Sequence, residues 1–439
     1  MKKLDIKNKI KKLNDTGFFS IFISNVFAKV IAFLGNIVVV NILTKNDYGI
    51  YAYALNAMTM LYILNDFGAS TAALQNLTEA NSNKEKQKII LKYALKMGLI
   101  GSAISGTLIL LSPIFYPFEI AEAKTYTPIL FLIPVFSNIN SFILIALRAN
   151  LKNKKFAILN FTSTALNYIA LVLFSIFFGL KGAIISQYFY MLLQCILGFL
   201  FSKNTLGKFT KAPDMDKSEK KSFIKYALTT QVNSTLASIL LNIDIFLIGI
   251  IIANSEIVAS YKVATTIPMA LSFLPNCIMI YLLPYFVMHN KEKEWLKKNY
   301  FKLIKYGLVA YGIITALCII FSNVIFSILY KGQYDDSIGA YIILMIGFFF
   351  SATFRIPTHN ILYSLRKLRI NLIVTISSAI LNLILNTILI NNIGMNGAAI
   401  ATMIIQIFSS IVLLCYTLNV LNNKGITKEN EKENEKNNY

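Results

Sequence analysis

Ser378–Thr402 reads SAILNLILNTILINNIGMNGAAIAT. It joins the end of one long apolar run, 368–390, to the start of the next, 395–421. Each run is long enough to cross a hydrocarbon core of about 30 Å as a helix. Within the stretch, Leu381-Asn382 is followed twelve residues on by Gly394-Met-Asn-Gly397-Ala398-Ala399-Ile400. The same order stands 215 residues earlier, where Leu166-Asn167 precedes Gly179-Leu-Lys-Gly182-Ala183-Ile184-Ile185. A membrane-spanning chain with an internal repeat is therefore the first expectation.

The composition extends it. Apolar residues make up 56% of the 439 and charged residues 14%, against about 25% charged in soluble domains, and mean hydropathy is +0.60. The charges gather between apolar runs of spanning length. Lipid cannot satisfy open backbone groups, so the runs must be helices, and the alternation of a membrane β-barrel is absent. Twelve spans are predicted, at about 17–43, 49–75, 88–116, 126–149, 156–180, 182–202, 224–252, 257–288, 303–329, 338–364, 368–390 and 395–421. The first follows a basic start but is too long for a signal peptide and lacks a small-residue cleavage site, so it is expected to remain as a span. Cys195, Cys277, Cys318 and Cys415 all lie in apolar runs without ligand spacing and read as small core residues.

The basic residues sort by side. With the N-terminus in the cytoplasm, only Lys45, Lys124, Lys181, Lys262 and Lys331 fall on the outer side, and Lys29 and Arg355 fall inside spans. The remainder of the 42 Lys and Arg lie in cytoplasmic segments, as the positive-inside rule requires. The net charge of +21 thus reflects orientation and contact with anionic lipid, not nucleic acid. Residues 1–16 place Ile6, Ile10 and Leu13 between lysines and predict a basic amphipathic segment. The tail 422–439, rich in Lys, Glu and Asn, is predicted to be disordered.

Two further echoes join the halves. Tyr51-Ala-Tyr-Ala54 matches Tyr261-Lys-Val-Ala264. The polar stripe of Asn25, Lys29 and Asn36 on span one matches that of Gln231, Thr235, Ser238 and Asn242 on span seven. Six spans per half bring both halves in from the same side, a parallel repeat of the transporter kind. The expected architecture is all-α: about 12 transmembrane helices in two six-helix bundles around a central cavity. The N-terminal bundle is 17–202, the cytoplasmic linker 203–222 and the C-terminal bundle 223–421.

Thr44-Lys-Asn-Asp47-Tyr48-Gly49-Ile50-Tyr51 after span one resembles the corresponding loop of polysaccharide flippases. These are the Wzx-type branch, for O-antigen and capsule, of the multidrug/oligosaccharidyl-lipid/polysaccharide exporter superfamily. Asn242-Ile-Asp244, Ala259-Ser-Tyr261-Lys-Val-Ala264 and, most closely, Ser378–Thr402 are similar to that family's motifs. The resemblance covers essentially the whole chain, and its motifs are mostly packing motifs. It implies two six-helix bundles, a cavity opening alternately to each side, and a cargo of sugar chain on polyprenyl diphosphate, moved in some members by an ion gradient. It also implies a bacterial cytoplasmic membrane, with polysaccharide polymerase and glycosyltransferases as partners.

A charge at the bilayer centre costs about 2.5–3.5 kcal/mol on insertion scales, so each intramembrane charge needs a partner or a wet cavity. Lys29 on the polar stripe of span one is either a cation for an anionic cargo or the partner of Asp66, which falls at equal depth on span two. Arg355, with His359 one turn on and Pro357 between, suits a diphosphate because its planar fork can bond two oxygens at once. The alternative is an Arg bonded to carbonyls freed by the proline. Substrate-binding candidates are Lys29, Arg355, Asn25, Asn36, Gln231 and Asn242; gating or ion-coupling candidates are Asp66, Asp244, His359 and Arg148. His359 could titrate near neutral pH, though a packed neutral imidazole is the plainer reading. Arg148, near Lys152, Lys154 and Lys155, reads first as a topology marker, and Asp244 as half of a structural or gating pair. The Gly-x-x-Gly runs at 179–182 and 394–397 sit at span starts and let helices approach closely; they are not phosphate loops. No P-loop, nucleophile–base set or metal spacing is present, and no cofactor is expected. Two other readings remain: a drug or cation exporter of the same superfamily, and a membrane enzyme that polymerises or ligates sugar chains. An exporter of cations wants acidic cavity groups, and an enzyme wants a large outer loop with catalytic charges. The outer loops here are short.

Overall fold

The computed structural model describes residues 18–80, 83–206, 209–290, 292–365 and 367–422. The predicted N-terminal segment 1–16 and all but the first residue of the tail lie outside them. Among the described residues every regular element is a helix. In chain order these are α1 Phe18–Ile42, α2 Lys45–Leu61, α3 Ala69–Glu79, α4 Lys84–Phe115, α5 Ala121–Tyr126, α6 Ile133–Ala149, α7 Asn153–Leu206 and α8 Lys217–Ile251. Then come α9 Ser255–Leu271, α10 Phe273–Met288, α11 Lys293–Ile320, α12 Ser322–Tyr330, α13 Ile338–Phe350, α14 Ile356–Ser364, α15 Leu368–Ile393 and α16 Met395–Asn422.

Nine helical stretches of the described residues are long and apolar enough to cross a membrane, or ten if the bent pair Ala121–Leu130 and Ile133–Ala149 makes one span. The sequence predicts twelve, and beyond the bent pair, which is predicted span four, two places account for the difference. Predicted spans five and six fall in one piece, Asn153–Lys203, interrupted only at Gly179, whose φ is 56° and ψ −136°. Predicted span two is broken by the 3-10 segment Tyr62–Gly68, which leaves helices of 17 and 11 residues on either side.

The two Gly-x-x-Gly runs form matching corners. Gly394, which ends α15, has φ 63° and ψ −143°, close to the values at Gly179 and in a region that essentially only glycine enters. Three residues on, a Cβ at Gly182 would collide with the Phe174 carbonyl oxygen, and one at Gly397 with that of Leu389. Those carbonyls are themselves 215 residues apart. The repeat read from the letters is thus present in the backbone, and the glycines are there for close helix approach, as their position at span starts predicts.

Polar side chains set the helix starts on the short connections. Thr44 Oγ1 accepts the Asp47 N–H at 3.1 Å, Asn83 Oδ1 that of Lys86 at 3.0 Å and Asp216 Oδ2 that of Ser218 at 3.1 Å. Each satisfies a backbone donor that the first helical turn leaves open. The segment before α8 is clasped to the start of α4. Lys92 Nζ donates to Ala212 O at 2.8 Å and lies 2.9 Å from Asp214 Oδ1, and Lys86 pairs with Glu219 at 2.9 Å.

The chain divides into two compact units, Met1–Ala259 and Ser260–Tyr439, with the boundary inside α9. In the first, Ala72, Leu77, Ile90, Leu91, Ile143, Leu147 and Phe223 belong to one buried cluster. In the second, Met279, Phe286, Leu296, Tyr300, Ile304 and Ile361 form another. Many large apolar side chains remain exposed, such as Ile114 at 81%, Phe177 at 74% and Ile328 at 72%. A soluble protein rarely leaves so much apolar surface in water, whereas a multi-pass membrane protein turns it to lipid.

Candidate functional site

On α1 three faces separate. Ser24, Ala28 and Val39 are buried, and the Tyr168 ring packs so closely on Gly35 that a Cβ there would strike it. Ser24 Oγ donates to Ala157 O at 2.6 Å. Ile23, Phe27, Val30, Leu34 and Val38 form an exposed apolar stripe. Asn25, Lys29 and Asn36 lie together on another side; Lys29 stands roughly 140° round the helix from the centre of the apolar stripe. Asn25 Oδ1 accepts from Asn160 Nδ2 at 3.0 Å, and Asn36 Oδ1 accepts from the Tyr48 hydroxyl at 3.1 Å. The two asparagines hold α1 to its neighbours. Lys29 is exposed and has no ion pair or side-chain hydrogen bond among the described residues.

Asp66 does not neutralise it. The residues Asp66, Phe67 and Gly68 have φ of 51°, 50° and 74°, so the helix stops and restarts there. Asp66 Oδ1 accepts the Gly68 N–H at 2.9 Å, and Oδ2 accepts the Ser70 N–H at 3.1 Å. The carboxylate closes the break and sits at the N-terminus of α3, where the helix dipole favours an anion. Ser102 Oγ steadies the same turn by donating to Asn65 Oδ1 at 3.0 Å.

The other first-unit candidates scatter. Asn242 meets Asn56, whose Nδ2 donates to the Asn242 carbonyl at 2.9 Å, and Asn242 Nδ2 donates to Ser238 O at 2.8 Å. Gln231 Nε2 donates to Thr235 Oγ1 at 3.2 Å. Asp244 is half-buried. Arg148 is exposed at the end of α6, its guanidinium 5.9 Å from the centre of the Phe156 ring, a cation–π distance. In the segment before α8, the bond and charge of Lys92 hold the Asp214 carboxyl below the usual carboxylate range.

In the second unit, Ser351–Arg355 is a π-turn, with the Ile356 N–H bonded five residues back to Ser351 O. Pro357, which has no N–H to give, follows at once, and such turns gather at functional sites. Ser410 Oγ reaches the Phe350 carbonyl at 3.1 Å, and Tyr300 and Thr358 share a buried hydroxyl–hydroxyl bond of 2.8 Å. Arg355 is half-buried and has no ion pair or side-chain hydrogen bond among the described residues, to the carbonyls around the proline or to anything else. His359, one turn on, has its ring centre 6.1 Å from that of Tyr363, and its carbonyl accepts from Asn371 Nδ2 at 3.2 Å.

The side count places Lys262 among the outer-loop charges; in the structure it lies inside α9, a correction to that count. The signal was in the hydropathy, since Lys262 falls within predicted span eight. Asn56 and Asn160 were also missed, because a single polar letter in an apolar run does not say which way it faces. Among the described residues, Lys29 and Arg355 are cations without counter-ions, charges of the sign that suits an anion.

A family model described as polysaccharide biosynthesis protein matches residues 16–290. The chain belongs to that family. An uncharacterized membrane protein of Methanocaldococcus jannaschii is 24% identical over 412 residues, 87% of this chain and 79% of its relative. Among solved structures, an inward-facing multidrug resistance MATE family transporter of the MOP superfamily aligns with TM-score 0.77 at 16% identity, over 91% of this chain and 96% of that one. The lipid II flippase MurJ, in an inward closed conformation, aligns with TM-score 0.71 at 15% identity, over 90% and 87%. A MOP superfamily transporter from Pyrococcus furiosus, described as having a binding pocket of reverse polarity, aligns with TM-score 0.66 at 14% identity, over 94% and 96%. This member of the polysaccharide biosynthesis protein family thus has the fold of the MOP transporters, as its motifs imply.

Proposed function

We propose that the protein flips polyprenyl-diphosphate-linked oligosaccharide across the cytoplasmic membrane of a bacterium by alternating access, for surface polysaccharide such as O-antigen or capsule. The observation that carries the reading is the pair Lys29 and Arg355. Each is charged, each lies within a membrane-spanning helix, and neither has a partner among the described residues. A cation kept in that position at a cost of several kcal/mol fits a family that handles anionic lipid-linked sugars. Arg355 suits a diphosphate because its fork bonds two oxygens at once, and Lys29 offers an anion a point charge. MurJ, described as a lipid II flippase, shares the fold, which supports a lipid-linked cargo. The chain is read as twelve crossings in two halves, 17–202 and 223–421, with both termini cytoplasmic. Glycosyltransferases supply the cargo and a polymerase consumes it.

The test is complementation of a flippase-deficient strain, scored by polymer display at the surface with membrane protein level measured in parallel. Wild-type protein that inserts but restores no polymer overturns the reading. Orientation is tested by alkaline phosphatase fusions, active at Lys124, Lys181 and Lys331 and silent at Lys211 and Lys424.

The MATE likeness favours a second reading, a cation exporter. It predicts efflux of a cationic dye by the wild-type protein, and removal of Arg355 would then not reduce that efflux.

A further inference from the structure

Lys262 is seven residues into α9, about 10 Å along its axis. The helix around it is enclosed: Val258, Ala259, Tyr261, Val263 and Ala264 are each buried to 1% exposure or less. Lys262 itself is half-buried. It shares a face with Thr266 and Met269, at i+4 and i+7, and Met269 is 47% exposed. Asp336, which meets this helix, accepts at Oδ2 from Ser260 Oγ at 2.7 Å. Two residues of helix rotate Lys262 by roughly 200° from Ser260. The Lys262 ammonium has no ion pair or hydrogen bond among the described residues.

Within the second unit, α9 and α13–α14 both run from the outer side inward in the proposed topology. Lys262 stands in the first third of its span. Arg355 is seventeen residues past Ile338, the start of α13, about 25 Å along its span. Lys262 and Arg355 are thus cations of one unit without counter-ions among the described residues, one in the outer half of its span and one in the cytoplasmic half. They differ in kind. The guanidinium holds a diphosphate by two parallel bonds, while the ammonium is a well-hydrated point charge on a flexible stem and fixes no geometry.

We propose that Lys262 is the release-side contact for the anionic head of the cargo, which it takes over from the Arg355 level as the diphosphate moves outward. The proposal rests on the flippase reading and adds to it a residue and a direction. Arg355 captures; Lys262 draws the phosphate oxygens toward the outer water and lets them go.

The experiment uses full-length protein in proteoliposomes with a fluorescent short-chain polyprenyl diphosphate disaccharide, comparing wild type, Lys262→Met and Lys262→Arg. Methionine keeps most of the length and removes the charge. Lys262→Met is expected to bind the lipid from the cytoplasmic side as wild type does, and to translocate it about tenfold more slowly, a difference of about 1.4 kcal/mol in the barrier. Lys262→Arg should recover most of the rate. Inorganic pyrophosphate added on the outer side should slow wild type and leave Lys262→Met unchanged, a readout that a purely structural lysine would not move. Wild-type translocation by Lys262→Met, or equal inhibition of both by outer pyrophosphate, overturns the inference while the flippase reading stands. A wild-type protein that moves no lipid overturns that reading, and this inference with it. Should Lys262→Met not accumulate, Lys262→Gln carries the same comparison.

Discussion

At Tyr62–Gly68 the chain leaves the helix through three left-handed residues, and the charge in the break, Asp66, accepts the two N–H groups that the break exposes. At Ser351–Arg355 the helix widens by one residue before Pro357, and the charge at its end has no partner among the described residues. Both interruptions put a formal charge inside a span. In the first, the backbone beside the charge uses it; in the second, the backbone has no use for it. An intramembrane charge is therefore evidence for cargo only after the local backbone has been asked whether it needs that charge. By this test Lys29, Arg355 and Lys262 remain candidates for contact with cargo, and Asp66 reads first as a structural residue.

The largest effect that would separate the two breaks is on transport. Arg355→Ala should reduce polymer display by about 100-fold, the order expected when a buried charge contact is truncated, at near-normal membrane level. Arg355→Lys should recover part of it, since lysine lacks the fork. Normal display from Arg355→Ala would put the two breaks in one class.

Stability should show the reverse ranking. Asp66→Ala removes a cap and should destabilise the protein by about 1–2 kcal/mol, and Asp66→Asn, which can also cap, by about 0.5 kcal/mol or less. Thermal unfolding in detergent measures both. A larger loss for Arg355→Ala than for Asp66→Ala would invert the comparison.

The double variant Lys29→Ala with Asp66→Ala sharpens it further. With no ion pair between the two residues, their effects should add to within about 0.5 kcal/mol, and transport should stay as low as in Lys29→Ala alone. Restoration of display would show that the two charges exist to neutralise each other.

The smallest effect concerns a second carboxylate, Asp214, which is 79% exposed. Lys92 depresses its pKa in the folded state, so its contribution is present above the ordinary carboxylate range and lost as pH falls through the depressed value. Amide hydrogen exchange in residues 209–216 should quicken, relative to its intrinsic rate, only at the acid end of that window, and Lys92→Ala should weaken the pH dependence. A change centred near neutrality would assign the clasp to some other group.

Much of this was legible in the letters. Apolar length and side-sorted lysines gave an all-helical membrane chain, and Gly179-x-x-Gly182 with Gly394-x-x-Gly397 gave the repeat. Pro357 signalled an irregular helix around Arg355. The break at Asp66 was not legible, because Asp-Phe-Gly in an apolar run reads equally as a charge at depth or as a turn; only the two hydrogen bonds decide. A Lys29–Asp66 pair stayed open as one of two readings because equal depth is readable and facing is not. Lys262 was hidden by counting charges by side, which treats every lysine near a boundary as a marker. Hydropathy registers apolar length and not the continuity of the helix that carries it, so the break in Tyr62–Gly68 and the kink at Gly179 had to come from the backbone.

The two glycine corners also bear on how the chain can be taken apart. At Gly179 and Gly394 nothing lies within 4 Å of where a Cβ would stand, so the backbone itself excludes other residues there, with no neighbour involved. Alanine at either should cost about 1–3 kcal/mol, and the same at both. A corner whose requirements are internal is a portable part. Residues 174–185 and 389–400 should be exchangeable between their two sites once the buried pairs Ser175/Ile390 and Ile184/Ala399 are matched to their surroundings, and a chain carrying two copies of either corner should then still insert and fold.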